Sequence, residues 1–370
     1  MGSLTLLAAM ALAACVSATP VVALASNDLA GLADHLPSYI TGFKNPSIVP
    51  SVGGKALCVS GTVDVTASAT NYEFLRQASM NQTELTELLL DDTVHVLTHG
   101  IGIDHTYWNN APNYSYVDYA AEQGYTIFNY DRLGVGLSDH PDPLQVVQAE
   151  LEIAIAHGIS ELLRSGAFAA HKFEKVVAVG HSFDSIVTYG WTKEYPHDMD
   201  AAVLTGFSPS VAGAASILIA QALDLASVVN PILYSELPAG YITSSTITGI
   251  QFSFFRWPAY DEQLFYNAWE NAQPLTLPEF LSGASILASP NTNFTGPVDV
   301  VDGEHDQANC AGNCQFPVDQ TAAAITDFYP AASKGSDHYI APGSGHFVNY
   351  HYAATGAYEH IHKFLKKNNI

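Results

Sequence analysis

Apolar and polar positions along the chain fall into the rhythm of an α/β protein. Val176, Val177, Ala178 and Val179 form an unbroken aliphatic run of the kind a strand buried on both faces requires. Ile186, Val187 and Tyr189 follow at spacings that suit a packed helix. Thr93–Thr98 (TVHVLT) and Tyr125–Tyr130 (YTIFNY) predict two more strands, with Asp118–Gln123 the end of a helix between them. Val146, Leu151, Ile155, Ile159 and Leu163 predict a helix within Leu144–Arg164, directly ahead of the aliphatic run. Ala201–Leu204 and Pro297–Gly303 read as strands, Val318–Tyr329 as a helix, His338–Ala341 as a short strand and Tyr350–Lys367 as the closing helix. Leu57–Phe74 differs: Val59, Val63 and Val65 alternate with polar residues, as in antiparallel strands near a sheet edge. Alternating strands and helices imply right-handed crossovers and a mainly parallel sheet.

That rhythm breaks between Ser208 and about Ser289. Helix-like apolar material (Ile217–Val229) is followed there by an aromatic run that includes Phe252, Phe254, Phe255, Trp257, Tyr260 and Phe265. An ordinary small helical core explains part of this run. A cap over the active edge of the sheet, supplying apolar walls and excluding water, explains the rest. The pattern divides the chain into 19–207 and 291–370 as two parts of one α/β core, with 208–290 inserted between them.

Chemistry concentrates where the aliphatic run ends, at Gly180-His181-Ser182-Phe183-Asp184. A strand turning sharply into a helix at G-x-S-x-G is a nucleophile elbow, which holds the serine oxygen exposed beside a helix N-terminus. The last position departs: Asp184 stands where glycine is usual, so that residue must lean away from the strand behind it and the elbow opens slightly. A serine hydroxyl needs a base, and the base needs a carboxylate to set its tautomer. Asp306 follows the strand that ends at Gly303, and His346 follows a Gly-Ser-Gly loop, giving the order Ser…Asp…His. Asp302 and Glu304 are rival acids, and His338 is a rival base that lacks a glycine loop to carry it. His99-Gly100-Ile101-Gly102 closes another strand, and the backbone N–H groups of Ile101 and Phe183 are the expected oxyanion hole.

Charge narrows the range of functions. Lys+Arg number 13 against 36 Asp+Glu, a net charge of −23 that repels phosphate backbones and excludes a nucleic-acid role. Residues 1–18 carry no charged side chain and end Val16-Ser17-Ala18, as a secretory signal does. Leu12-Ala13-Ala14-Cys15 also fits a bacterial lipoprotein box, which is the competing reading. Asn81, Asn113 and Asn293 head N-glycosylation sequons and favour export from a eukaryotic cell. No later apolar run is long enough to span a membrane. Cleavage after Ala18 would leave Cys58, Cys310 and Cys314, an odd count with one cysteine unpaired or paired outside the chain. Cys310 and Cys314 bracket a short loop that a disulfide could close; a zinc site would need further ligands at matching spacing, and none is evident.

Taken together, His99-Gly100, the Asp131-Arg132…Gly134…Gly136…Ser138 turn, Gly180-His181-Ser182-Phe183-Asp184, Gly303-Glu304-His305-Asp306 and Gly345-His346 resemble the α/β-hydrolase superfamily from about Val94 onward. With its leader and sequons the chain is similar to secreted fungal members. The resemblance implies a mostly parallel eight-stranded sheet flanked by helices and a helical cap inserted after the sixth strand. It also implies a Ser182–Asp306–His346 triad and no cofactor or metal. The expected activity is hydrolysis of a carboxylic ester or lactone of an apolar or aromatic small molecule. Phe254, Phe255, Trp257 and Tyr260 are the candidate pocket walls. Two alternatives remain open: acyl transfer or lactone-forming cyclisation with the same triad, and a non-catalytic binding protein on a hydrolase scaffold.

Overall fold

The structure is a computed structural model that describes residues 4–17 (as backbone), 40–70, 92–168 and 171–370. Six strands form the parallel heart of its main sheet: β4 (Thr93–Thr98), β5 (Thr126–Tyr130), β6 (Lys175–His181), β7 (Ala201–Thr205), β11 (Val298–Gly303) and β12 (Asp337–Ala341). β1 (Leu4–Ser17), β3 (Ala56–Ala69) and β2 (Lys44–Pro50) extend it antiparallel, in the order β12-β11-β7-β6-β4-β5-β1-β3-β2. The aliphatic run in β6 serves both faces because successive side chains alternate. Val176 and Ala178 enter one apolar core with Leu151, Ile153 and Val187; Val177 and Val179 enter the other with Val117, Ile361 and Phe364. Helices α1 (Tyr116–Glu122) and α8 (Ala354–Lys367) cover the second face, while α2 (Ala149–Ser165) and α3 (Phe183–Glu194) cover the first.

Two expectations change here. Among the described residues the main sheet holds nine strands where eight were expected; one of them, β1, lies in the stretch expected to be cut away as a leader and pairs with β3 along its length and with β5 over Leu12–Cys15. Cys58 is disulfide-bonded in the chain that retains residues 1–18, whereas the odd cysteine was expected of the chain after their removal. The helix expected from Leu144 starts at Ala149, because the Asp142 carboxylate caps the N–H groups of Leu144 and Gln145 in a separate turn and Gln148 is extended. Cys310 and Cys314 form the expected disulfide.

Between β7 and β11 lie α4 (Ala214–Gln221), α5 (Ile247–Phe254), α6 (Glu262–Glu270) and α7 (Leu277–Ile286). A small sheet of β8 (Asp224–Leu225), β9 (Tyr241–Thr243) and β10 (Leu275–Thr276) ties them together. The helix-like stretch expected through Val229 stops at Ala222, which takes a left-handed backbone (φ 45°) and turns the chain into β8. Among the described residues no helix is long and apolar enough to cross a membrane.

Candidate active site

Ser182 sits between the last residue of β6 and the first of α3 with φ 57° and ψ −119°. A non-glycine residue held there stores roughly 1–3 kcal/mol of strain, and its neighbours over-determine it. The Ser182 N–H donates to Thr205 O at 2.8 Å, and Ser185 Oγ donates to the carbonyls of Thr205 and Gly180. A Cβ on Gly180 would lie 2.3 Å from Asp184 O, so the first elbow glycine is compulsory. Gly100 is equally constrained, since a Cβ there would come within 2.8 Å of the Ser182 Cβ.

The Ser182 hydroxyl lies 2.7 Å from His346 Nε2, and His346 Nδ1 lies 2.5 Å from Asp306 Oδ2. Of the rival acids, Asp302 is buried behind Asp306, and Glu304 accepts the Gly343 N–H instead. Burial alone would raise the Asp306 carboxyl; the His346 imidazole, a hydrogen bond from Asp302 and the Asn309 N–H hold it below the usual carboxylate range. Burial and the Asp306 charge push the Asp302 carboxyl well above the usual carboxylate range. His338, the rival base, is exposed and faces Asp319 on the far edge strand.

Two further histidines hold the loops in place: His351, which no sequence motif marks, and His99, which opens the expected oxyanion loop. His351 Nε2 accepts the N–H groups of Gly345 (3.0 Å) and Arg256 (2.9 Å), while its Nδ1–H donates to Phe347 O. It therefore pins the His346 loop to the insertion, and burial keeps it neutral with a pKa of about 4. His99 Nε2 accepts the Arg132 N–H and its Nδ1–H donates to Gly100 O, fixing the expected oxyanion loop. Neither the Ile101 nor the Phe183 N–H donates to a protein acceptor among the described residues, and both residues line the cavity with Ser182. Phe183 opens α3, where backbone N–H groups have no intrahelical partner.

The Asp184 substitution has a physical reason invisible in a five-residue motif. Its carboxylate meets Arg132 Nε at 2.6 Å, and Arg132 Nη1 also reaches Glu152 of α2 at 3.0 Å and Glu279 of α7. All four side chains are buried. Burial raises Asp184 to about 8, with Glu279 adding to the rise and Arg132 opposing it. One guanidinium thus joins the elbow, the core and the insertion, and the expected opening of the elbow gives way to a side chain turned toward Arg132.

A cavity of about 420 Å³ opens beside Ser182 and His346. Of the four expected walls only Phe254 lines it. Phe255 and Tyr260 pack instead with Phe265 and Tyr350 in the core on the other side of the insertion from the cavity wall; Trp257 is 58% exposed. The remaining walls come from outside the aromatic run: Phe207, Phe280 and Phe328, with Ile217 of α4, Ala284 of α7 and Ile186 of α3. Asn113 and Asn293 are exposed, whereas Asn81 lies outside the described residues.

The profile of the alpha/beta hydrolase family matches residues 96–357. Against the curated proteins the sequence finds no significant match. Among solved structures, an esterase from Thermogutta terrifontis aligns with TM-score 0.50 at 13% identity, covering 88% of this chain and 100% of the other. A monoacylglycerol lipase from Paleococcus ferrophilus aligns at 0.50 and 14%, covering 74% and 94%. Tomato methylketone synthase I aligns at 0.54 and 12%, covering 75% and 100%. At these identities the likeness concerns the fold.

Proposed function

The chain belongs to the alpha/beta hydrolase family, and from that premise we propose that it is a serine hydrolase cleaving carboxylic esters of apolar small molecules. The observation that carries the reading is the unbroken relay from Ser182 Oγ through His346 to Asp306, 2.7 and 2.5 Å in its two steps, at the mouth of an apolar cavity.

His346 takes the Ser182 proton as Oγ attacks the ester carbonyl, and Asp306 stabilises the imidazolium that results. The unpaired N–H groups of Ile101 and Phe183 receive the negative oxygen. Collapse expels the alcohol with the proton returned from His346, leaving an acyl group on Ser182. Water, deprotonated by the same imidazole, then releases the acid. The insertion acts as a cap that walls off solvent from this sequence of steps. A lactone would pass through the same steps with its alcohol tethered.

A panel of p-nitrophenyl esters tests the proposal. Each added acyl methylene that enters the apolar cavity contributes up to about 0.8 kcal/mol, a roughly fourfold rise in kcat/KM per carbon until the cavity is full. Hydrolysis of none of the esters by folded protein would sink the reading.

Export completes the proposal. N-terminal sequencing of the secreted protein is expected to begin at Thr19, with enzymatic deglycosylation removing mass at Asn113 and Asn293. A mature protein that keeps Met1 would instead retain β1 in the sheet and rule out a cleaved leader.

A further inference from the structure

Helix α4 reads AASILIAQ, an apolar segment, yet the single side chain it buries is the polar one. Gln221 is 6% exposed while Ile219 on the same helix is 80% exposed. This inverts the usual amphipathic arrangement, in which the apolar stripe faces inward. The helix is held in that rotation from several sides. Gln307 Nε2 donates to Ser216 Oγ at 3.0 Å, Thr246 Oγ1 donates to Ala220 O at 3.0 Å, and the Gln221 carbonyl accepts the Ser245 N–H at 3.0 Å.

The Gln221 side chain lines the cavity that holds Ser182, and among the described residues its amide has no hydrogen-bond partner. Except for the Asn309 side-chain oxygen, the other polar side chains there are committed. Ser208 Oγ donates to Ser210 O, Asn309 Nδ2 donates to Asp306, and Ser182 and His346 bond each other. No Lys, Arg, Asp or Glu lines this cavity among the described residues. An amide in an apolar wall loses its solvent bonds when a ligand fills the cavity, at a free-energy cost that a hydrogen-bonding group on the ligand removes.

We infer that Gln221 is a specificity-determining residue: the cavity selects an ester whose apolar body carries one uncharged hydrogen-bonding oxygen, a hydroxyl or a ketone, set to meet the Gln221 amide. The inference rests on the hydrolase reading above and names the substrate class within it. A fully hydrocarbon body would leave the amide unpaired, and a charged body would enter a cavity with no counter-ion. A neutral oxygen satisfies the amide while the rest of the body fills the apolar walls.

The test uses two positional series. One comprises p-nitrophenyl esters of decanoic acid and of hydroxy- and ketodecanoic acids substituted at successive carbons. The other comprises butyrate esters of decanol and of the matching diols and hydroxyketones. Full-length wild type, Gln221→Leu and Gln221→Met are assayed on both. At one position in one series the wild type is expected to favour the oxygenated ester by about tenfold or more in kcat/KM. Both variants are expected to lose that preference, the kcat/KM ratio of oxygenated to unsubstituted ester falling to about one. A preference that is flat across both series in the wild type overturns the inference without recourse to any variant, as does a preference that survives in a folded variant. Absence of hydrolysis on every ester, with no labelling by a fluorophosphonate, would instead strike the hydrolase reading itself.

Discussion

Ser182→Ala is expected to lower kcat for ester hydrolysis by about 10⁶-fold while leaving the melting temperature unchanged or raised. The size of the loss follows from the arrangement. Oγ is the atom that forms the covalent bond, and among the described residues no other side chain bonds His346 Nε2 as a replacement. The stability half follows from position. Ser182 sits at φ 57° and its N–H bond to Thr205 O is made by the backbone, which alanine keeps. The hydroxyl contributes one hydrogen bond to His346, so its removal costs little in folding. Steady-state hydrolysis and a thermal melt on the same preparation check both halves. A variant that melts normally but retains a hundredth of the wild-type rate would place the nucleophile elsewhere.

The second large effect concerns stability. Arg132→Met is expected to destabilise the protein by about 3–5 kcal/mol, because it leaves Asp184, Glu152 and Glu279 buried around a lost cation. Arg132→Lys is expected to recover only part of this loss. A single ammonium cannot reproduce the fork that meets Asp184 through Nε and the two glutamates through Nη1. The loss should also reach the active site, since Arg132 Nη2 approaches Gly100 O and Asp184 lies two residues past Ser182. Urea denaturation gives the measurement: the midpoint should fall with an unchanged m value. An Arg132→Met midpoint within experimental scatter of the wild type would show that the three acids carry no net charge needing Arg132.

The elbow, its serine and the histidine loop were legible because each is local. An aliphatic run, small neighbours and a glycine loop lie within a few residues of the atom they present. Asp306 was separable from Asp302 and Glu304 only by its place past the strand end, and in the structure Asp306 is the one of the three that meets His346. The reason for Asp184 was not legible, because Arg132, Glu152 and Glu279 come from distant parts of the chain and meet only after the sheet and insertion have packed. The aromatic run misled as to the pocket for a related reason. Phe255 and Tyr260 are large enough to serve equally as core or wall, and burial against Phe265 and Tyr350 decided for the core. Gln221 ends an apolar helix, and periodicity alone places it on the surface. Only the hydrogen bonds that rotate α4 reveal that it faces inward.

The central claim is that His346 activates Ser182. Labelling with a fluorophosphonate, followed by peptide mapping of wild type, Ser182→Ala and His346→Ala, tests it most directly. The account predicts one adduct on the wild type, carried by the peptide containing Ser182, and none on either folded variant. A folded wild type that takes no label, or a Ser182→Ala variant that still takes it, would contradict the account.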